Sequence, residues 1–189
     1  FSDNLKNEKL LDFENNNSYL FSIIKNIELY EKLKKSLLND KYFLKKNNNL
    51  DKVKFENYDL IINTDYNNFL TKKFFNKKII KKYNSVAFST TIKHEKISNN
   101  VAVQIFTKNG PLAFLPMSNN ETSIVYSVKK STDTSRGNIN KLIEHYNFKY
   151  KIKKINKIQS FLLNGSNLRS YRSKNILAFG DLLHKIHPL

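Results

Sequence analysis

Four short apolar runs crowded between Ser85 and Val128 constrain this chain more than any other feature. SVAFSTTIKHE, VAVQIFT, PLAFLPM and TSIVYSV are rich in the β-branched and aromatic residues that suit a pleated, half-buried surface. Two of them alternate cleanly, with Val86, Phe88, Thr90 and Ile92 in one and Ile124, Tyr126 and Val128 in another. A period of two places such residues on one face, so the middle of the chain is predicted to be a half-exposed antiparallel sheet. The links ISNN, KNGP and SNNE carry turn chemistry. Gly110-Pro111 reads either as a plain hairpin with its proline at a sheet edge or as a wall facing a ligand, and the residues alone favour the hairpin.

The flanks have another texture. Ser18 to Asn26 is apolar and leans toward strand. Asn26 can cap a helix over Ile27 to Asn39, with Glu28 and Glu31 near its positive end and Ile27, Tyr30, Leu33 and Leu37 along one face. KYFLKK and KVKF, on either side of NNNLD, read as a hairpin. The run Leu60 to Ile62, within Tyr58 to Asp65, is continuous rather than alternating, which predicts a strand buried on both faces in a parallel sheet. A helix around Asn138 to Tyr146 presents Ile139, Leu142, Ile143 and Tyr146 together, and Asn175 to Phe179 (NILAF) is a second buried-type strand. The layout is parallel-type, antiparallel, then parallel-type again, without internal repeats.

At 189 residues and 40% hydrophobic content the chain can build one substantial core or two small ones. Zero cysteines exclude disulfides, thiolate metal sites and a cysteine nucleophile. The net charge of +17 invites a nucleic-acid reading. Against it, the cations are almost all lysines, with arginine only at Arg136, Arg169 and Arg172, whereas base and phosphate readers lean on arginine. Asparagine runs such as Asn15 to Asn17 and Asn47 to Asn49 accompany the lysines, a pairing that reads as the codon bias of an AT-rich genome. No apolar run reaches the ~18 residues of a membrane span, and FSDNLKNEKLLDFENNN lacks the basic and apolar regions of a signal peptide. A cytoplasmic location is the default.

Two apolar strands end in acids, DLIINTD at Asp65 and NILAFGD at Asp181. In open α/β sheets, ligands bind beyond the carboxyl ends of strands, where a carboxylate can accept hydrogen bonds from sugar or ribityl hydroxyls. Gly180 would let a ligand approach the backbone closely. The plainer reading is that each acid caps a following helix. His184 and His187 lie three apart on a presumed helix, but no third or fourth ligand stands at metal-site spacing, so no metal is assigned. His94, alone on an alternating strand, reads as a hydrogen-bonded structural residue before it reads as a general base. No Ser-His-Asp grouping, P-loop or GxGxxG is present.

Taken together, VAFSTTIKHEKISNNVAVQIFTKNGPLAFLPMSNNETSIVYSV and NILAFGDLLHKIHPL resemble the FAD-dependent aromatic hydroxylases of ubiquinone biosynthesis (UbiH type), within the p-hydroxybenzoate-hydroxylase-like flavoprotein monooxygenases. The resemblance runs from about Ser18 to the end and is most specific over Gly180, Asp181, His184, Ile186, His187, Pro188 and Leu189. It implies a mixed α/β (α+β) fold: a partial FAD-binding Rossmann-like domain with an inserted antiparallel-sheet substrate domain. The implied boundaries are 1–82 for the first part of the FAD domain, 83–165 for the substrate domain and 166–189 for the return. It further implies FAD contacts at Gly180, Asp181, His187, Pro188 and Asp65, with Tyr66 in place of a family glycine, Lys72 near a usual arginine, and no catalytic residue nominated. Since the family opens with a strand-GxGxxG-helix unit, the chain is expected to be an internal piece of a longer hydroxylase acting on a polyprenyl phenol with O₂. The electron donor is open, NAD(P)H being the candidate, and association with a biosynthetic complex or the periphery of the inner membrane is expected. The alternatives are a related flavoprotein oxidoreductase with another aromatic or prenyl-lipid substrate, and a basic nucleic-acid-binding domain.

Overall fold

The computed structural model describes residues 9–14, 20–46, 54–130 and 136–186. In chain order they form α1 (Asn26–Leu38), β1 (Ile61–Asn63), α2 (Phe69–Phe74), β2 (Lys78–His94), β3 (Val103–Thr107), β4 (Gly110–Ser118), β5 (Glu121–Lys129), α3 (Arg136–His145), β6 (Ile152–Ile155), β7 (Gln159–Leu168), β8 (Arg172–Ser173), β9 (Ile176–Ala178) and β10 (His184–Lys185). The fold is mixed α/β with mostly antiparallel pairing. It divides into two compact units, Phe1–Lys32 with Asn84–Leu162 and Leu33–Tyr83 with Leu163–Leu189.

In the first unit β2 runs antiparallel to β5, β5 to β4 and β4 to β3, while β6 pairs with the far end of β2. The register sets Val86 against Val128, Phe88 against Tyr126, Thr90 against Ile124, and Phe114 against Ile124 on the next strand. Those are the alternating residues of the sequence, and they meet Ile139 and Ile143 of α3 in one core. Phe114, Ile92 and Leu112 are fully buried, each contributing about 1.5–3 kcal/mol relative to exposure. The expected edge proline is corrected: β4 lies between β3 and β5. It tolerates Pro111 near its first residue and Pro116 where the register shifts, two places where a missing N–H costs little.

In the second unit β1 and β9 are parallel, Ile61 facing Ile176 and Asn63 facing Ala178, with β8 antiparallel to β9. Among the described residues this is a three-stranded sheet with β1 at its edge. The parallel pairing matches the sequence expectation, but the two-sided burial does not, because Leu60 and Ile62 are 56% and 57% exposed. The central strand β9 does bury Ile176 and Ala178, in a cluster with Leu70, Phe75, Leu168 and Leu182. Asn175 Nδ2 donates to Phe55 O and Tyr58 O, tying the approach to β1 onto the β8–β9 turn.

Other local expectations fail for want of a partner. Lys41–Lys46 is turn and coil and Phe55 begins a one-turn 3-10 helix, so the described parts of KYFLKK and KVKF form no strands; the link NNNLD and the first two residues of KVKF, 47–53, lie outside the described residues. Strand propensity there has no neighbouring ladder to complete it. Residues 20–25 are irregular as well. The helix after Asn26 forms as the spacing predicts, yet none of its residues is buried, because 3.6-residue periodicity is a local property and burial requires a facing surface.

Candidate functional site

The carboxyl ends of the parallel neighbours β1 and β9 lead into the loops that carry the two acids. Asn63, the last residue of β1, is 3% exposed and organises the loop that follows. Its Nδ2 donates to Thr71 Oγ1 at 2.8 Å, its Oδ1 accepts from Asn68 Nδ2 at 2.6 Å, and its carbonyl accepts from Phe179 N at 2.9 Å. Asn68 is the N-cap of α2, accepting from Thr71 N at 2.9 Å, while the Thr71 hydroxyl donates to Asp65 O. Asp65 therefore does not cap the helix. Its Oδ1 accepts from Asn67 N at 2.8 Å in an Asx turn, and the residue is exposed.

On the neighbouring strand, β9 gives way to Phe179 and then to a one-turn 3-10 helix, Gly180–Leu182, that contains Asp181. Asp181 is thus exposed on the turn beyond the strand rather than at its last residue. Gly180 has φ +66, the left-handed region glycine enters freely, and a Cβ built there would meet nothing within 4 Å. The side-chain face of Gly180 is open among the described residues.

Tyr66 joins the two loops. Its hydroxyl donates to the Asp181 carbonyl. Asn84 and Lys174 are the non-glycine residues with positive φ among those described, so the backbone at Tyr66 does not require the glycine expected there. Although Tyr66 is 38% exposed, partial burial of its hydroxyl end and then the nearby Asp181 carboxylate push the phenol above its ordinary value, against a partly offsetting hydrogen bond from Ser166. Tyr66, Thr71, Ser166, Asn167 and Leu182 line a hollow of about 10 Å³, room for one water molecule.

The remaining candidates separate from this cluster. His187 and Pro188 lie outside the described residues. His184 is not on a helix: it sits in β10, paired with Asn167 of β7, because the chain after the Gly180 turn forms a sheet edge. His94, in the first unit, is 3% exposed and fully engaged. Nδ1 donates to Glu95 O at 2.8 Å, which leaves Nε2 to accept from the Thr122 hydroxyl at 3.0 Å. Thr122 Oγ1 in turn accepts from Asn99 Nδ2 at 2.9 Å, and Asn99 Oδ1 accepts from the Tyr150 hydroxyl at 3.0 Å. Sequence reasoning placed His94 correctly as structural but missed its partners, as it missed Asn63, Asn68 and Thr71. Discounting asparagine as compositional background hid the Asn-x-x-Thr cap at Asn68.

Burial also raises the Tyr150 phenol. A phenol held protonated in the fold contributes stability below its unfolded value of about 10, and loses it as pH rises through the higher folded value. Lys149, whose ammonium burial pushes down, works in the opposite direction, so the informative comparison is with Tyr150→Phe. Urea midpoints of the parent are expected to fall more steeply than those of Tyr150→Phe above about pH 10; a parallel course would contradict the assignment.

No protein-family model and no curated protein sequence matches the chain. Solved structures do. CmlS, a flavin-dependent halogenase, superposes with a TM-score of 0.53 at 12% identity, over 69% of this chain and 26% of its own. The matched residues share the fold of part of that chain. The flavin-dependent brominase Bmp2 matches with a TM-score of 0.51 at 14% identity, over 69% of this chain and 37% of its own. For p-nitrophenol 4-monooxygenase PnpA from Pseudomonas putida the values are 0.51 and 11%, over 68% and 35%. The chain therefore spans about a quarter to a little over a third of the length of these neighbours.

Proposed function

We propose that this chain is part of a flavoprotein monooxygenase, with Asp65, Gly180 and Asp181, and with His187 and Pro188 beyond them, contributing to an FAD site. One observation carries the reading: the parallel pairing of β1 and β9 sets two exposed acid-bearing loops side by side at the carboxyl ends of their strands, where α/β folds bind cofactors. The donor chemistry fits. Two carboxylates accept hydrogen bonds from a polyol chain, and the open space beside Gly180 admits a group where any side chain would project. The solved neighbours add support, since CmlS is a flavin-dependent halogenase, Bmp2 a flavin-dependent brominase and PnpA a p-nitrophenol 4-monooxygenase.

When bound, FAD supplies O₂ activation and transfer of a hydroxyl to an electron-rich ring. The chain's own part is to hold the cofactor's hydroxyls through Asp181 and Asp65. The antiparallel strands within 83–165 are assigned as the wall that orients a phenol and excludes water. The specific reading is hydroxylation of a polyprenyl phenol in ubiquinone biosynthesis, with NAD(P)H as donor. An apolar substrate of that kind suits delivery at a membrane periphery, and no helix among the described residues is long and apolar enough to cross a membrane. The halogenase neighbours favour a second reading, a related flavoprotein acting on another aromatic substrate.

The test is the complete protein encoded by the reading frame that contains this chain. It is expected to carry flavin absorbance, and Asp181→Asn is expected to lower FAD affinity by roughly 10- to 100-fold, the worth of a hydrogen bond to a charged group. Loss of affinity without rescue of a quinone-deficient strain by the parent would select the second reading. Absence of flavin, or unchanged affinity in Asp181→Asn, would remove both.

A further inference from the structure

We infer that Tyr66 is a positioning residue for Asp181, a hydroxyl tie between the β1–α2 loop and the Gly180–Leu182 turn that takes over the ordering of this crevice. The inference rests on the proposed FAD site, but its physical basis is separate. Gly180 is in the left-handed region with no neighbour on its side-chain face, so contacts there do little to hold the turn. Backbone bonds flank the turn, Phe179 N to Asn63 O at 2.9 Å before it and Leu168 N to Leu183 O at 3.1 Å after it, and Leu183 N closes it on Gly180 O at 3.0 Å, but none of these reaches the carbonyl of Asp181. Leu182 anchors the turn from below, 3% exposed in the second unit's core. The Tyr66 hydroxyl, which lines the same hollow as Leu182, donates to the carbonyl of Asp181 itself.

Tyr66 is well placed for that role. Its own loop is stiffened by Asn63, Asn68 and Thr71, and Thr71 also binds the carbonyl of Asp65, the preceding residue. The phenol lies between the Asp181 turn and Ser166 of β7, so one hydroxyl spans three chain segments. The raised phenol keeps its proton at neutral pH and so remains a donor. Glycine at position 66 would leave the loop intact but supply no group able to reach Asp181. Asp181 acts through its carboxylate, and Tyr66 acts through Asp181.

A double-mutant cycle on the complete protein tests this, with FAD affinity read by titration and backbone amide exchange read in the flavin-free state. Tyr66→Phe, which keeps the ring, is expected to lower FAD affinity about tenfold, the worth of one hydrogen bond. Combined with Asp181→Asn it is expected to add nothing beyond the Asp181→Asn loss, a coupling that a merely structural tyrosine would not produce. Tyr66→Gly should bind no better than Tyr66→Phe. In the flavin-free protein, exchange at Asp181–Leu183 should quicken about tenfold in Tyr66→Phe by the same accounting. Additive losses, unchanged exchange, or tighter FAD binding by Tyr66→Gly would overturn the inference. A parent that binds no FAD but shows the exchange change would sink the proposed cofactor site and leave the tie in place.

Discussion

Gly110→Ala is expected to destabilise the antiparallel unit by at least about 3 kcal/mol. Gly110 follows the two-residue turn Lys108–Asn109 and opens β4, where it faces Thr107 across the hairpin. Its φ is +146, a conformation that side-chain-bearing residues avoid, and a Cβ there would stand 1.9 Å from the carbonyl oxygen of Ser127 on β5. The obstacle is backbone in the middle of a sheet, so relief requires β4 and β5 to part next to Leu112 and Tyr126, both buried in the core. Gly165→Ala supplies the control. Its added Cβ would meet the Tyr83 hydroxyl at 3.1 Å and ring Cε2 at 3.2 Å, with the Lys185 carbonyl in ordinary contact at 3.4 Å, so one side chain has to give by a few tenths of an ångström and a loss of about 1 kcal/mol is expected. Urea unfolding of the two variants decides it: equal effects would show that the close approach at Gly110 is not what the sheet requires.

The second large effect is at Thr122. The hydroxyl is the middle link of a buried chain in which every donor and acceptor has one assignment: Tyr150 to Asn99, Asn99 to Thr122, Thr122 to His94, His94 to Glu95 O. The orientation of Asn99 is fixed independently, because its Nδ2 also donates at 2.8 Å to Ser118 O, which can only accept. Thr122→Val keeps the shape and removes the link. His94 Nε2 is then left buried without a donor, and the expected loss is about 2–4 kcal/mol. Thr122→Ser restores the hydroxyl and should recover all but roughly 1 kcal/mol, the cost of the missing methyl. If valine and serine behaved alike, the methyl packing and not the hydrogen-bonded chain would be holding the site together.

These residues show where sequence reasoning reaches and where it stops. The alternation of Val86, Phe88, Thr90 and Ile92 was legible because a strand's two faces repeat every two residues, and its burial against α3 follows once any helix covers that face. The same logic failed at Leu60 to Ile62, since a continuous apolar run does not say how many neighbours a strand has; β1 turned out to be an edge. The presumed helix at His184 failed as well, since that residue lies in the sheet edge beside β7. In the candidate site, Asp65 and Asp181 were readable from their places after apolar strands. Their contact through Tyr66 was not, because it joins positions 115 residues apart.

By itself, then, the sequence determined the local terms: which segments alternate, where turns fall, that no thiol chemistry is available, and which acids follow strands. The tertiary structure alone decided which strands became neighbours, that Gly110 must pass against Ser127, that asparagines dismissed as background hold the β1–α2 loop, and that Tyr66 reaches Asp181. The physical reason is range. Periodicity and turn chemistry act over a few residues and are written consecutively, whereas pairing, close approach and buried hydrogen bonding depend on groups that only chain closure brings together.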